Sequence, residues 1–598
     1  MRPLALLSLS LLTAPAAEIT HGPILGRLSS NEIGVWARTA RPGEFHVEYG
    51  TQPTDLGQKS ATVRTVLDHD NAGFVHITGL APNTKYFYKV MGEAGQRDPD
   101  KLYGDFKTLP DRDTYRHAKH NPDGLFNFSF EYACGNNQGR GAHELPTFTT
   151  MLREIEDKVD FAILDGDWLY EEKREYTPAE WRTQVGAPTA PRIVDLAPTI
   201  VGVWENYKLY LSRGKPLADW HREMPSFFMF DDHEMLNDVN GTGTIGLRSR
   251  RASFRDIGTQ AWYDYLGWSN PVDWKQGIHF GKTRLKAGSD VLEDSSADFR
   301  ELKLNEAGTL VVHWGTEDAG VNQVSLDNVG GDPNAGVYEV KEVLGRNRLR
   351  ISPTPKTDSE VSYSIGRLSH FRMTVANAEY FFVDTRSHRQ MHDINDPFKE
   401  GVSILGEQQK AWLKKGMSES KADFLFIVSS VNLMVPHILA GPNKRNKDEA
   451  WTAVAAEREE LIEFWDSVGK PVFVLTGDLH NSFAIKLTDR VWEFASGPHN
   501  SSNHILEEEW DRPSNGPFES RGREVDIRWS TFIPNDAGKG LRRPIYTVVR
   551  VNNAFRIPKI GDQLNVWAAY ARPHVTFQYY DGLNGDLLYA ETIHATRP

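Results

Sequence analysis

Residues 161–170 read FAILDGDWLY, and the rest of the chain is organised around this stretch. The mostly apolar run from Phe161 to Leu164 predicts a buried strand. It stops at Asp165-Gly166-Asp167, where Gly166 permits a tight turn. Asp167 is left at a sheet edge, where open α/β sheets hold their ligands. Tyr170 follows three residues later, within reach of the same point. A carboxylate and a phenol aimed together suggest a metal; an ordinary strand exit with an exposed Asp is the alternative.

Three further strand ends bear on that choice. Residues 126–130 (FNFSF) alternate as a strand and run into Cys134-Gly135. With a helix at 151–156 and the strand from Phe161, they predict a βαβ unit. Residues 224–230 (MPSFFMF) are a third buried strand, ending in Asp231-Asp232-His233-Glu234. Successive strand side chains face opposite ways, so Asp231 and Asp232 should not share one site, and Asp231 reads as a salt-bridge partner. Residues 472–475 end in Thr476-Gly477-Asp478-Leu479-His480. Asp384-Thr385-Arg386 also follows a strand, and there an internal ion pair is the simpler reading. Further strands are expected at 371–375, within 380–386, whose last three residues are the strand end, and at 424–430, 547–551 and 575–580, and helices at 248–266, from 405 and at 455–465.

Four strand ends that each deliver a metal-ligating side chain fit two cations sharing Asp167, because a closely spaced pair needs a bridging carboxylate. A thiolate and a phenolate on one side favour iron. Oxygen ligands such as Asp232 and Asp478 favour a harder ion, calcium, magnesium or manganese. Such a pair generates hydroxide near neutral pH and neutralises a phosphoryl group. No Ser or Thr sits in a nucleophile motif.

The flanks are different in kind. Residues 18–110 read as an all-β domain of short strands and turns. The stretch 80–90, LAPNTKYFYKV, resembles the penultimate-strand corner of fibronectin type III-like sandwiches, where a Tyr packs under the bend. Residues 111–125 read as a polar linker. Residues 278–366 read as a β-rich insertion between two parts of the catalytic domain, 126–277 and 367–598. Residues 1–17 (MRPLALLSLSLLTAPAA) have the basic start, apolar core and A-x-A site of a secretory signal peptide, so the expected localisation is secreted or periplasmic. No later run is long and apolar enough for a membrane span.

The chain has 598 residues and a formal net charge of −13, which argues against nucleic acid as a partner. Hydrophobic residues make up 39%, with 16 Trp and 29 Phe, enough to build several cores. Cys134 is the single cysteine, so no intramolecular disulfide exists and the thiol must be buried or ligated.

The motifs A-C-G, G-D-W-L-Y, F-D-D-H-E and G-D-L-H, in this order after a small β-sandwich, resemble the alkaline phosphatase D-like (PhoD-like) family of the metallophosphoesterase superfamily. The run beginning Leu405-Gly406-Glu407-Gln408 and the stretches 456–459 and 493–496 are similar too. The resemblance spans roughly 20–275 and 367–595 and implies an α/β fold with a calcineurin-like core, a two-sheet β-sandwich flanked by helices. It implies that Cys134, Tyr170 and His480 bind iron, with Asp167 bridging to a second metal, calcium in the family's pattern. Asp232 and Asp478 would bind that second metal, Asn237 would add a ligand, and His233 would face the phosphate as general acid. Purple acid phosphatases carry Asp where this chain has Cys134, which points to the PhoD-like branch. The implied activity is phosphoric ester hydrolysis, on a monoester or diester, by a metal-bound hydroxide attacking phosphorus in line. Two alternatives stand beside it: an inactive relative serving as a surface or binding protein, and a metal hydrolase of carbon or sulfate esters. The first predicts lost ligands, yet every proposed position is filled.

Overall fold

The computed structural model describes residues 17–93, 102–139, 145–239, 241–272, 274–313, 333–393, 395–439, 441, 447–537, 542–558 and 566–596. Its centre is two facing β-sheets. In the first, Phe128–Ala133, Phe161–Leu164 and Ser226–Phe228 pair in parallel, as a βαβ order requires. The expected third strand is shorter than 224–230, because Met229 and Phe230 already leave the ladder. Beyond Phe128–Ala133 the sheet continues antiparallel through Ile545–Ile557, Val566–Asp581 and Leu587–His594.

The second sheet has eight strands, in the order Phe371–Val375, Ala378–Val383, Phe424–Ser429, Val472–Thr476, Val491–Ala495, Phe483–Lys486, Arg523–Ser530 and Gly516–Ser520. Its four strands from Ala378–Val383 to Val491–Ala495 are parallel. They read as unbroken apolar runs because both faces are covered. Tyr380, Phe382, Phe426 and Phe473 turn inward to the first sheet. Their neighbours Phe381, Val383, Ile427 and Val474 turn outward to Leu413, Met417, Leu461 and Trp465 of the helices Gly406–Glu419 and Ala455–Ser467. Aromatic rings join the sheets: Phe130 stands edge-on to Tyr380 and Phe426, and Phe494 stacks on Phe577 with centroids 3.6 Å apart.

Four helices, Pro178–Val185, Arg192–Leu196, Ile200–Arg213 and Lys215–Glu223, fill the segment after Tyr170, where sequence reading placed no element. One local signal was there: Thr177 and Glu180 form a capping box.

Strands between Ile19 and Lys107 form two small sheets, one of Ile19–Gly26, Glu32–Thr39 and Ala72–Thr78, the other built on Glu44–Gly50, Lys85–Gly92 and Tyr103–Lys107. At the expected corner the Ala81 amide donates to the Tyr86 hydroxyl at 2.9 Å, and Tyr86 stacks on Phe106. The polar stretch 111–125 is ordered by Asn121, which donates to the Tyr115 and Leu125 carbonyls and accepts from the Leu125 amide. Strands from His279–Leu285 to Ser359–Arg367 form a six-stranded sheet with its own apolar cluster around Leu285, Leu310 and Tyr363. One of its strands is Ala307–Val312. Residues 1–16 of the expected signal peptide lie outside the described residues. Among the described residues no helix is long and apolar enough to cross a membrane.

Candidate metal centre

The strand ends meet over one edge of the sandwich. Gly166 has φ +123°, and a Cβ there would come within 2.5 Å of Asp231 Cβ, so only glycine allows the turn. Asp167, Asp478 and His480 follow in left-handed conformations, φ 55°, 61° and 53°. Backbone held in this sparsely populated region by its surroundings is a feature of built sites.

Asp167, Tyr170 and His480 converge. The Tyr170 hydroxyl lies 2.8 Å from His480 Nε2, and both reach Asp167 Oδ2, at 3.3 and 2.9 Å. The opposite His480 nitrogen, Nδ1, faces the Ser502 carbonyl at 2.9 Å, which orients the ring. Cys134 is buried beside them. Cβ atoms on Gly477 or Gly497 would each come within 2.9 Å of its sulfur, so two glycines shape the space it occupies.

Asp232 stands at the middle of the acidic groups. Its oxygens lie within 4.8 Å of ligand atoms of Asp167 and His233, of Asp231 and Asp478, and of Asp238 and Glu449. Asp231 turns to Arg386, which grips it with Nε–Oδ1 at 2.6 Å and Nη2–Oδ2 at 2.9 Å. Arg386 also lies 3.3 Å from Asp478 and 3.6 Å from Glu449. The ion pair expected within 384–386 is therefore made across the fold: Asp384 accepts the Arg386 and Ser387 amides, while the guanidinium reaches Asp231. Asp478 Oδ2 lies 2.6 Å from His437 Nδ1. Asn237 lines the cavity, and its backbone amide donates to Glu171 Oε1.

Electrostatics mark the site as built for cations. Burial, then neighbouring carboxylates, push Cys134 and Tyr170 well above their usual values, and burial, the largest cause, raises Asp167 well above its usual value against the opposing pull of His233. Asp167 Oδ1 is buried with no hydrogen-bond partner, and so are both oxygens of Asp165 and Glu449. A bound cation reverses this penalty, because it favours the charged form of each ligand. The residues present therefore fit a metal centre, with mixed thiol, phenol and imidazole donors at one end and carboxylates at the other.

His233 Nδ1 lies 2.9 Å from Glu171 Oε2, and its ring packs on Tyr170 with centroids 4.1 Å apart. Burial opposes its charge, but Glu171, Asp232 and Asp167 win and raise it well above 6.5. An open cavity of about 330 Å³ joins these groups, walled by His437, Lys447 and the stretch Ser501 to His504. Sequence reading had missed Glu171, His437, Lys447 and Glu449. His437 carried a weaker signal: it comes after the buried strand Phe424–Ser429, but farther past its end than Asp478 or His480 past theirs. Glu171 adjoins Tyr170 but reads as any exposed acid after a turn.

Comparison with known proteins identifies the family and the fold. The family model of the PhoD-like phosphatase matches residues 128–286 and 365–524, leaving out most of the six-stranded inserted sheet. A domain of unknown function, DUF7800, matches residues 16–102. A search of curated proteins by sequence finds no match. A solved structure of PhoD superposes with a TM-score of 0.53 at 16% identity, over 98% of this chain and 94% of that one. A purple acid phosphatase from yellow lupin (Lupinus luteus) seeds gives 0.45 at 11% identity, over 96% of this chain and 74% of that one. The family model covers more than half of the chain, and this chain belongs to the PhoD-like phosphatases, metal-dependent phosphoesterases.

Proposed function

We propose that the protein is an exported phosphomonoesterase or phosphodiesterase with two metals, iron held by Cys134, Tyr170, His480 and Asp167, and calcium held by Asp167, Asp232, Asn237 and Asp478. The observation that carries this reading is the convergence of Tyr170, His480 and Asp167 from strand ends as much as 313 residues apart in sequence. Three donors within about 3.3 Å of one another, beside a buried thiol, have no economical role in an apolar core. Cations bound there supply Lewis acidity, a lowered pKa for water and compensation of phosphoryl charge.

The chain's own residues do the rest. Glu171 holds His233 by Nδ1 and keeps it protonated, leaving Nε2 to give a proton to the departing alcohol oxygen. Arg386 neutralises Asp231 and part of the charge on Asp478, so the acidic groups coexist without a cation for each. Lys447 and His504 line the cavity and offer positive charge or hydrogen bonds to a bound phosphate ester.

The test is metal content with an absorption spectrum on protein purified without chelator, followed by phosphate, sulfate and acetate nitrophenyl esters. Iron near one per chain, a visible band that vanishes in Tyr170→Phe, and turnover of the phosphate ester alone support the reading. Absence of iron and of any band after reloading overturns the ligand assignment, and preference for the acetate or sulfate ester overturns the substrate class.

A further inference from the structure

A second cavity, of about 460 Å³, lies away from the metal centre, where three parts of the molecule meet. The strand Ala72–Thr78 forms one wall, the helix Arg250–Tyr265 another, and Arg367, at the end of the last strand of the inserted sheet, closes the third. Two arginines face each other across it. The Arg367 guanidinium carbon lies over Tyr263, 3.3 Å from the ring centre. Its Nε and Nη2 are buried and have no hydrogen-bond partner. Arg27 spends its Nε on the Trp268 carbonyl at 2.7 Å and lies 5.0 Å over Phe74. Among the described residues, neither arginine makes an ion pair.

The carboxylate in this lining is already used. Asp264 Oδ1 accepts from His69 and Gln260, and Oδ2 accepts from the Trp204 indole. The lining thus carries two arginines and one carboxylate, which His69 already pairs; Glu32, outside the lining, attracts Arg27. Burial, with repulsion from Arg27, brings Arg367 down to about 9. Phe74 stacked on Trp268 adds a flat apolar wall. Packing on Tyr263 accounts for the face of Arg367, but it leaves the in-plane donors unanswered. A planar fork of donors beside aromatic surface is the arrangement that takes a carboxylate or phosphate attached to a ring. The volume lies in the usual range for a small-molecule site.

We propose that this cavity binds a small organic anion, a flat ring bearing a carboxylate or phosphate, with Arg367 and Arg27 holding the charge and Phe74 and Trp268 the ring. The site would tie the inserted sheet to the amino-terminal sheet and to the helix Arg250–Tyr265. That helix reaches the metal centre at its other end, where Arg251 donates to the Asp238 carbonyl.

The test is calorimetric titration of the full chain with 2-naphthoate, run beside 2-naphthalenemethanol and sulfate, on the native protein, Arg367→Met and Arg27→Gln. Expected is saturable 2-naphthoate binding, weakened about tenfold or more in each variant, as loss of a charge-assisted hydrogen bond entails. The alcohol and sulfate should bind at least about tenfold more weakly than 2-naphthoate for the same reason. 2-Naphthoate should also raise the thermal midpoint of the native chain but not of Arg367→Met. No saturable binding of 2-naphthoate, unchanged affinity in Arg367→Met, or equal affinity for sulfate each overturns the proposal. If Arg367→Met does not fold, unchanged affinity in Arg27→Gln overturns it.

Discussion

Glu171 Oε2 lies 2.9 Å from His233 Nδ1, and the other oxygen of the same carboxylate accepts the Asn237 amide at 2.8 Å. One buried acid thus orients the proposed proton donor and the loop that carries a proposed ligand. His233→Ala should lower kcat on an alkyl phosphate by ~10²–10⁴-fold and much less on a nitrophenyl ester, whose leaving group needs no proton. Glu171→Gln should show the same leaving-group dependence with a smaller loss. Equal rates on both esters in both variants would remove His233 from the proton-donor role.

Gly166→Ala tests the turn that places Asp167. The new methyl would meet Asp231 Cβ at 2.5 Å in a left-handed backbone. The substitution should destabilise the fold by about 1–3 kcal/mol through strain and lower metal content in step with activity. Bound metal measured by elemental analysis, beside a denaturant titration, checks both. A variant with full metal and full stability would mean the turn tolerates a side chain.

Asp70 joins the amino-terminal sheets to the catalytic sandwich. Fully buried, it accepts from Arg38 at 3.0 and 3.1 Å, from Trp181 at 2.7 Å and from Tyr265, and it faces Lys208 at 3.2 Å. Asp70→Asn leaves Arg38 without its countercharge and Lys208 with Glu205 alone, and should cost about 3–5 kcal/mol, as for a broken buried pair. Burial alone would raise this carboxyl, but Arg38 and Lys208 hold it well below 3.8. Its folded value is depressed, so its contribution is fully present above the unfolded value and is lost as pH falls below it. Native protein should therefore lose stability below about pH 4 by a component absent from Asp70→Asn. Thermal midpoints of both proteins across pH 2.5–7 would reveal it, and parallel curves would refute it.

Arg386→Gln separates charge balance from ligation. Removing the guanidinium exposes Asp231, Asp232, Asp478 and Glu449 to one another. The chelator-treated protein should lose about 3–5 kcal/mol, as when one partner of a buried pair is deleted. Divalent cations should recover more of that loss than they add to the native protein. Calorimetric unfolding with and without calcium measures the difference, and equal recovery would contradict the balancing role.

Much of the site was legible because it is local. Phe161 to Leu164 is an apolar run, Gly166 ends it, and Asp167 and Tyr170 follow within a few residues. Backbone sterics and side-chain alternation act over such distances, so the strand, the turn and the direction of Asp167 need no knowledge of the rest of the chain. The same logic applied at Cys134, Asp232 and Asp478. The helices from Pro178 to Glu223 were harder, because much of their helical stability comes from tertiary packing, here on one another, on the helix Arg250–Tyr265 and on the strand Ile19–Gly26.

The order of polar residues after each buried strand was enough to name the family, the class of chemistry and most candidate ligands. Tertiary structure alone decided which charges meet. Arg386 passes over Asp384, two residues away, to grip Asp231, 155 residues distant. Glu171 finds His233, His437 finds Asp478, and Arg27 and Arg367 meet across a cavity with no acid between them left to neutralise them. An ion pair forms where desolvated charges are brought within a few ångströms, and that distance is set by how the sheets and helices pack, which the one-dimensional pattern does not encode.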